Sequence, residues 1–482
     1  MISFLLCLAV LIVGYFIYGR FVSHVIAPDP ARRTPCFTRE DGVDYIPLPT
    51  WKVYMIQFLN IAGVGPIFGA IMGAQFGTAS YLWIVLGTLL AGATHDYTAA
   101  MLSLRHDGES LPETIGRYLG RGTRRAMSLF TVVLLILVGA VFVSSPATLL
   151  AALTPDWMNV TVWLLLIFAY YVLATLLPVD KIIGKFYPLF AFCLLFMAAG
   201  LMGYIFVVQP ELPELWDAPA LGIKYNTDPV FPAMFVSIAC GAISGFHGTQ
   251  SPLMARCLQN ERMARPCFYG AMVTEGIVAL IWAAAATYFY GVHGGTTGAE
   301  GQPFTPGEIA TGISRSWLGV AGGLLAILGI ALAPITSGDT ALRSARLIVA
   351  DFLHVGQKGV RARLAISLPI FAVTAGILVW SFSDPKGFQT LWRYFAWSNQ
   401  TLATFTLWAV TVYLTRYGKC FWITFLPAVF MTMVCSAYIL VASEGLGLDY
   451  RLGMILAAVL TLAVATAFLV RLFRRKHNHP AQ

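Results

Sequence analysis

The chain has 482 residues, 58% of them hydrophobic and only 11% charged. Soluble chains carry about 25% charged residues, so three soluble domains are excluded and a polytopic membrane protein is indicated. The net charge of +8, from 31 Lys+Arg against 23 Asp+Glu, reads as basic cytoplasmic loops rather than as a nucleic-acid surface.

A helix needs ~20 apolar residues to cross the hydrocarbon core, and that rule predicts an all-α protein of about thirteen transmembrane helices. In chain order they cover residues 1–19, 52–76, 79–103, 125–152, 160–178, 188–208, 230–253, 267–290, 317–340, 364–382, 388–415, 420–442 and 450–470. The first has neither a basic leader nor a small-residue cleavage site, so it reads as an uncleaved span. The run Arg471, Arg474, Arg475, Lys476 is expected in the cytoplasm. Counting back places the N-terminus outside, and every basic residue except Lys224, Arg315, Lys386, Arg393 and Arg451 then falls inside. Eight scattered cysteines form no CxxC pair, which gives neither a disulfide framework nor a zinc signature.

Three spans contain segments that disfavour a straight helix: N-I-A-G-V-G-P-I-F-G at 60–69, C-G-A-I-S-G-F-H-G-T-Q-S-P at 240–252 and A-P-I-T-S-G-D-T at 333–340. Proline lacks a backbone donor and glycine tolerates unwound dihedrals. Unwound backbone survives in a membrane only when it is buried in protein or lines a cavity. The first two segments open units of five spans that run in opposite directions. That predicts an inverted-repeat transporter, with repeats at 51–208 and 209–416, an extra helix and loop at 1–50, and a C-terminal pair with a basic tail at 417–482. The layout resembles the leucine-transporter (amino acid–polyamine–organocation) fold.

The expected substrate-binding residues lie at the breaks and beside them: Ala62, Gly63, Gly65, Gly241, Ser244, Gly245, Phe246, His247, Asn399 and Gln400. The breaks are expected to face each other across one midplane cavity. Ionisable residues inside spans are costly and mark ion paths or structural pairs. Asp96, Glu275 and Asp339 are the acids so placed, with His95 and His247 beside them. Asp96 could pair with a half-helix terminus or with an inner-loop arginine, and Asp339 with Arg343 one turn on. Thr336 and Ser337 could form an oxygen cage for Na⁺ or simply satisfy local backbone. Trp392, Phe395 and Trp397 read as packing or lipid contacts. The expected coupling ion is H⁺, with Na⁺ as the alternative, and no cofactor or metal is expected.

Several strings carry a family resemblance: D-P-A-R-R-T-P (29–35), D-G-V-D-Y-I-P (41–47), I-A-G-V-G-P-I-F-G (61–69), A-G-A-T-H-D-Y (91–97), R-H-D-G-E-S-L (105–111), I-A-C-G-A-I-S-G-F-H (238–247) and F-A-W-S-N-Q-T-L-A (395–403). The chain resembles the carbon starvation protein A (CstA-type) transporters. That resemblance implies an inner-membrane importer of bacteria or archaea, used when carbon is short, for short peptides or for pyruvate with protons. Longer members carry paired histidines where this chain has Ile56-Gln57, and a longer hydroxyl-containing stretch after His247. Substrate and coupling ion are therefore not carried over. A channel or nutrient sensor on a transporter fold is the competing reading. An enzyme is not expected, because neither H-E-x-x-H nor G-x-S-x-G occurs.

Overall fold

The computed structural model describes residues 1–42, 44–174, 179–217, 224–298, 303–357, 359–384 and 387–478, and side chains are described outside 179–188 and 474–478. Val43 and Lys386 lie outside this description, as do the side chains of Lys181, Lys185, Arg474, Arg475 and Lys476 and the end of the expected fifth span.

The described chain is helical throughout, with only two isolated β-bridges. The helices are α1 (Ile2–Ile26), α2 (Thr50–Ile61), α3 (Ala79–Leu86), α4 (Ala93–Arg105), α5 (Leu111–Leu119), α6 (Arg121–Ala151), α7 (Val160–Ala174), α8 (Val179–Val208), α9 (Val230–Ser237), α10 (Ala239–Ala242), α11 (Gly245–Ala255), α12 (Ala271–His293), α13 (Pro306–Leu353), α14 (Val360–Ser383), α15 (Gly387–Arg416), α16 (Trp422–Val441) and α17 (Tyr450–Asn478). Eight described helices are long and apolar enough to cross a membrane, or nine if one bent pair counts as a span. The chain is a multi-pass membrane protein.

Local chemistry sets the helix ends. Thr305 and Glu308 form a reciprocal capping box with Pro306 at the first turn of α13, which satisfies donors that a helix start leaves open. The α1 helix ends where Ala27 turns left-handed and its N–H returns to the Ser23 carbonyl. Two π-helical turns, Gly87–Gly92 and Arg265–Gly270, lead into α4 and α12. The sequence reading did not anticipate them, nor the surface helix α5.

The third expected break is absent. The α13 helix continues through Pro334 and departs from helical geometry at Gly319, whose φ is +67°. The carbonyl that Pro334 deprives of a helix donor is that of Ile330, four residues back. The Tyr171 hydroxyl bonds the carbonyls of Pro334 and Phe142, at 3.2 and 3.0 Å, and the latter is the one that Pro146 leaves open in α6. Membrane helices keep proline where neighbours bond the freed backbone groups in this way.

The core lies where α11 packs against α2, α4 and α15, and where α13 packs along α6. The Glu261–His293 stretch is buried nearly all round, whereas α1 and α17 leave most of their surface to lipid.

Candidate functional site

Two broken spans meet at the centre of the bundle. After α2 the chain bends by 51° and resumes helix at Gly65–Phe76. On the other side, α10 is a single turn, Ile243 and Ser244 are extended, and α11 begins at Gly245. The second break thus sits at 243–244, one turn before His247, which occupies the regular first turn of α11. A Cβ built on Gly65 would stand 2.2 Å from Cys240 Cβ, and one on Gly241 would lie 3.7 Å from Pro66 Cα. The two segments therefore face each other, but in direct contact rather than across the expected cavity. Only glycine at 65 allows an approach that close.

Asn399 and Gln400 on α15 hold both halves of the second broken span. Asn399 Oδ1 accepts the Phe246 N–H at 2.7 Å, filling an open donor at the start of α11. Its Nδ2 reaches Cys240 Sγ at 3.4 Å, and Gln400 donates to the Phe235 carbonyl on α9. Gly245 packs so closely that a Cβ there would lie 2.4 Å from the Asn399 carbonyl oxygen.

Around His247 four ionisable side chains form one buried chain. His95 Nδ1 lies 2.8 Å from Asp96 Oδ1, and His247 Nδ1 lies 3.1 Å from Asp96 Oδ2. His247 Nε2 lies 3.5 Å from Glu275 Oε2, and all four side chains are fully buried. Three elements supply them: α4, α11 and α12. Asp96 thus contacts two histidines, where the sequence suggested a half-helix terminus or an inner-loop arginine, and Glu275 has His247 as its neighbour. An imidazole can take a proton at one nitrogen and release it from the other. His247 thus has a carboxylate beside each ring nitrogen, hydrogen-bonded at Nδ1 and at 3.5 Å from Nε2. The approach to Glu275 is not a formed hydrogen bond: Nε2 and both Glu275 oxygens have no hydrogen-bond partner among the described residues.

Ser337 donates 2.9 Å to the Leu59 carbonyl and 3.0 Å to that of Ala333, and Thr336 donates 2.7 Å to Ala333. The Ser337 bond ties α13 to the end of α2. Arg343 lies 2.8 Å from the Ala174 carbonyl and 4.0 Å from Asp44 Oδ1. Asp339 is buried on the same helix.

A cavity of about 530 Å³ opens at the end of the bundle that carries Asp228, Arg393 and Glu444. An aromatic layer separates it from the polar chain. Trp392 meets Phe395 edge-on at 5.4 Å, and Phe142 bridges Phe395 and Phe246 at 6.0 and 5.7 Å. Phe246 is the residue before His247. The opposite end is sealed. Buried Glu261 accepts the Asp29 N–H at 2.8 Å and pairs with Arg105 at 3.3 Å. Arg105 also reaches the Ala27 carbonyl at 2.8 Å and the Tyr413 hydroxyl at 2.6 Å. The segment after α1 then crosses this end, with the Leu48 N–H on the Cys257 carbonyl at 3.0 Å.

Sequence reasoning missed the cavity. Trp392 read as packing, and Glu444 sits in a loop with no motif. The usable signal was Arg393, one of few basic residues expected on the outer side.

Comparison with known proteins follows the same lines. The family model described as carbon starvation protein CstA matches residues 1–162, 147–296 and 296–437. An uncharacterized membrane protein of Haemophilus influenzae is 43% identical over 60% of this chain and 91% of its own length. The peptide transporter CstA of Campylobacter jejuni is 28% identical over 88% of this chain and 78% of its own. The pyruvate/proton symporter BtsT of Escherichia coli is 26% identical over 90% and 80%. Among solved structures, a manganese transporter of Eremococcus coleocola superposes with a TM-score of 0.58 at 13% identity, covering 90% of this chain and 97% of its own. That is a likeness of fold, and among the described residues no three His, Cys, Asp or Glu side chains are grouped to hold a metal ion.

Proposed function

Because the chain belongs to the carbon starvation protein CstA family, we propose that it is a secondary importer of a short peptide or a pyruvate-like carboxylate, coupled to protons and used when carbon is short. Relatives named as peptide transporters and as a pyruvate/proton symporter support the substrate range. The observation that carries the coupling is the buried chain His95–Asp96–His247–Glu275. Sealed ionisable groups are expensive in a membrane and are the usual substance of proton relays.

The proposed architecture is about thirteen spans, with inverted repeats at 51–208 and 209–416 that meet at the two broken helices. The N-terminus lies outside and the C-terminus in the cytoplasm. The membrane is the bacterial or archaeal cytoplasmic membrane. In this arrangement the cavity faces outward, and the Glu261–Arg105 cluster closes the inner end. Substrate entering from outside displaces the aromatic layer at Phe246 and Phe395 and reaches the contact of Gly65 and Pro66 with Cys240 and Gly241. Because Phe246 and His247 are consecutive, movement of the first turn of α11 changes the distance from His247 to both carboxylates. Substrate binding and proton binding are thereby linked. Ser337 braces α13 against α2 and Thr336 bonds its own helix, so sodium has no required place in this account.

The test is uptake into proteoliposomes with a competition panel of pyruvate, lactate, dipeptides and amino acids under an imposed pH gradient. Saturable uptake that an uncoupler abolishes supports the importer. Unsaturable flux in both directions supports a channel.

A further inference from the structure

The outward cavity carries charges of both signs. Arg393 and Glu444 pair across its wall at 3.2 Å, and Asp228 lines it as well. Glu444 is held firmly: Tyr438 and Ser443 donate to its carboxylate, and the Tyr394 hydroxyl bonds its carbonyl. Burial alone would raise its carboxyl, but the Tyr438 hydrogen bond and the Arg393 charge keep it below the usual carboxylate range. Arg393 is half exposed, so it can turn toward a ligand while Glu444 stays in place. At the floor, Trp392 is only 4% exposed and its indole N–H has no acceptor among the described residues. Buried indole groups normally find one, so this donor awaits an acceptor from a ligand.

We infer that this cavity is an outer binding site for a zwitterionic short peptide, with Glu444 and Asp228 facing the ammonium, Arg393 the carboxylate, and Trp392 a backbone carbonyl. The inference rests on the importer reading and narrows its substrate class. A volume of about 530 Å³ falls within the ~300–1,000 Å³ of small-molecule sites. A three-carbon monocarboxylate would leave most of it empty and would bring its charge beside two acids. A peptide places an opposite charge against each group and offers the carbonyl that Trp392 lacks.

The experiment measures equilibrium binding of dialanine, N-acetyl-dialanine and pyruvate to the purified protein in nanodiscs, with Glu444→Gln and Arg393→Gln beside the parent. Loss of one charge-assisted contact is expected to weaken dialanine by about ten- to hundred-fold. N-acetyl-dialanine, which has no ammonium, should bind the parent weaker by a similar factor and be indifferent to Glu444→Gln. The acetylated probe needs no variant, so the result survives if a substitution fails to fold. Equal binding of dialanine and N-acetyl-dialanine by the parent overturns the assignment. So does pyruvate binding as tight as dialanine. Parent protein that binds none of the three overturns the importer reading along with it.

Discussion

His247 Nδ1 lies 3.1 Å from Asp96 Oδ2, although 151 residues separate the two in sequence and they enter the site on different helices. Glu275 approaches the other ring nitrogen. The imidazole therefore sits between two carboxylates in the buried centre of the bundle.

His247→Gln preserves a polar side chain but cannot relay a proton. Uptake driven by a pH gradient should fall to background, while substrate exchange under equal pH on both sides persists. Radiolabelled uptake and counterflow in the same vesicles separate the two. Loss of both, with a lowered melting temperature, would make His247 a structural cap.

Gly65→Ala places a Cβ against Cys240. Overpacking of this kind costs about 1–3 kcal/mol, and the melting temperature should drop. Adding Cys240→Gly removes the clashing atoms and should restore much of the loss. If the double variant is no more stable than Gly65→Ala alone, the two broken spans do not touch as described.

Asn399→Ala leaves the buried Phe246 N–H without its acceptor. An unsatisfied buried donor costs about 1–3 kcal/mol. Thermal denaturation in detergent should show that loss, with uptake reduced in parallel because the first turn of α11 is no longer anchored. Parental stability would show that another group caps α11.

Glu261→Gln weakens the seal between the segment after α1, the end of α4 and Tyr413. Buried Cys257, beside the Leu48 contact, should then react faster with a membrane-impermeant thiol reagent from the cytoplasmic side. An unchanged rate would mean that the seal depends on other contacts.

Much of this architecture is legible in the sequence. Runs of apolar residues mark an all-helical membrane protein, of which eight described helices, or nine with the bent pair, are long and apolar enough to span, and Gly-Val-Gly-Pro and Ala-Ile-Ser-Gly mark two real breaks. Pro334 misleads for a physical reason. A proline costs its helix chiefly the bond to the carbonyl four residues back, and α13 stays continuous where it packs along α6, a partnership that no local pattern announces. The same holds for the site. His95, Asp96, His247 and Glu275 stand out singly as ionisable residues in apolar runs, but only packing shows that they form one chain. The cavity is harder still, because its walls combine outer loops with helix ends and no periodicity links Arg393 to Glu444.

The proton relay is tested most directly by imposing a pH gradient, acidic outside, on sodium-free proteoliposomes and measuring accumulation of dialanine or pyruvate by the parent and by Asp96→Asn. The account predicts concentrative uptake by the parent that collapses with an uncoupler, and none by Asp96→Asn despite normal insertion. Accumulation that appears only with a sodium gradient, or that Asp96→Asn leaves unchanged, would contradict it.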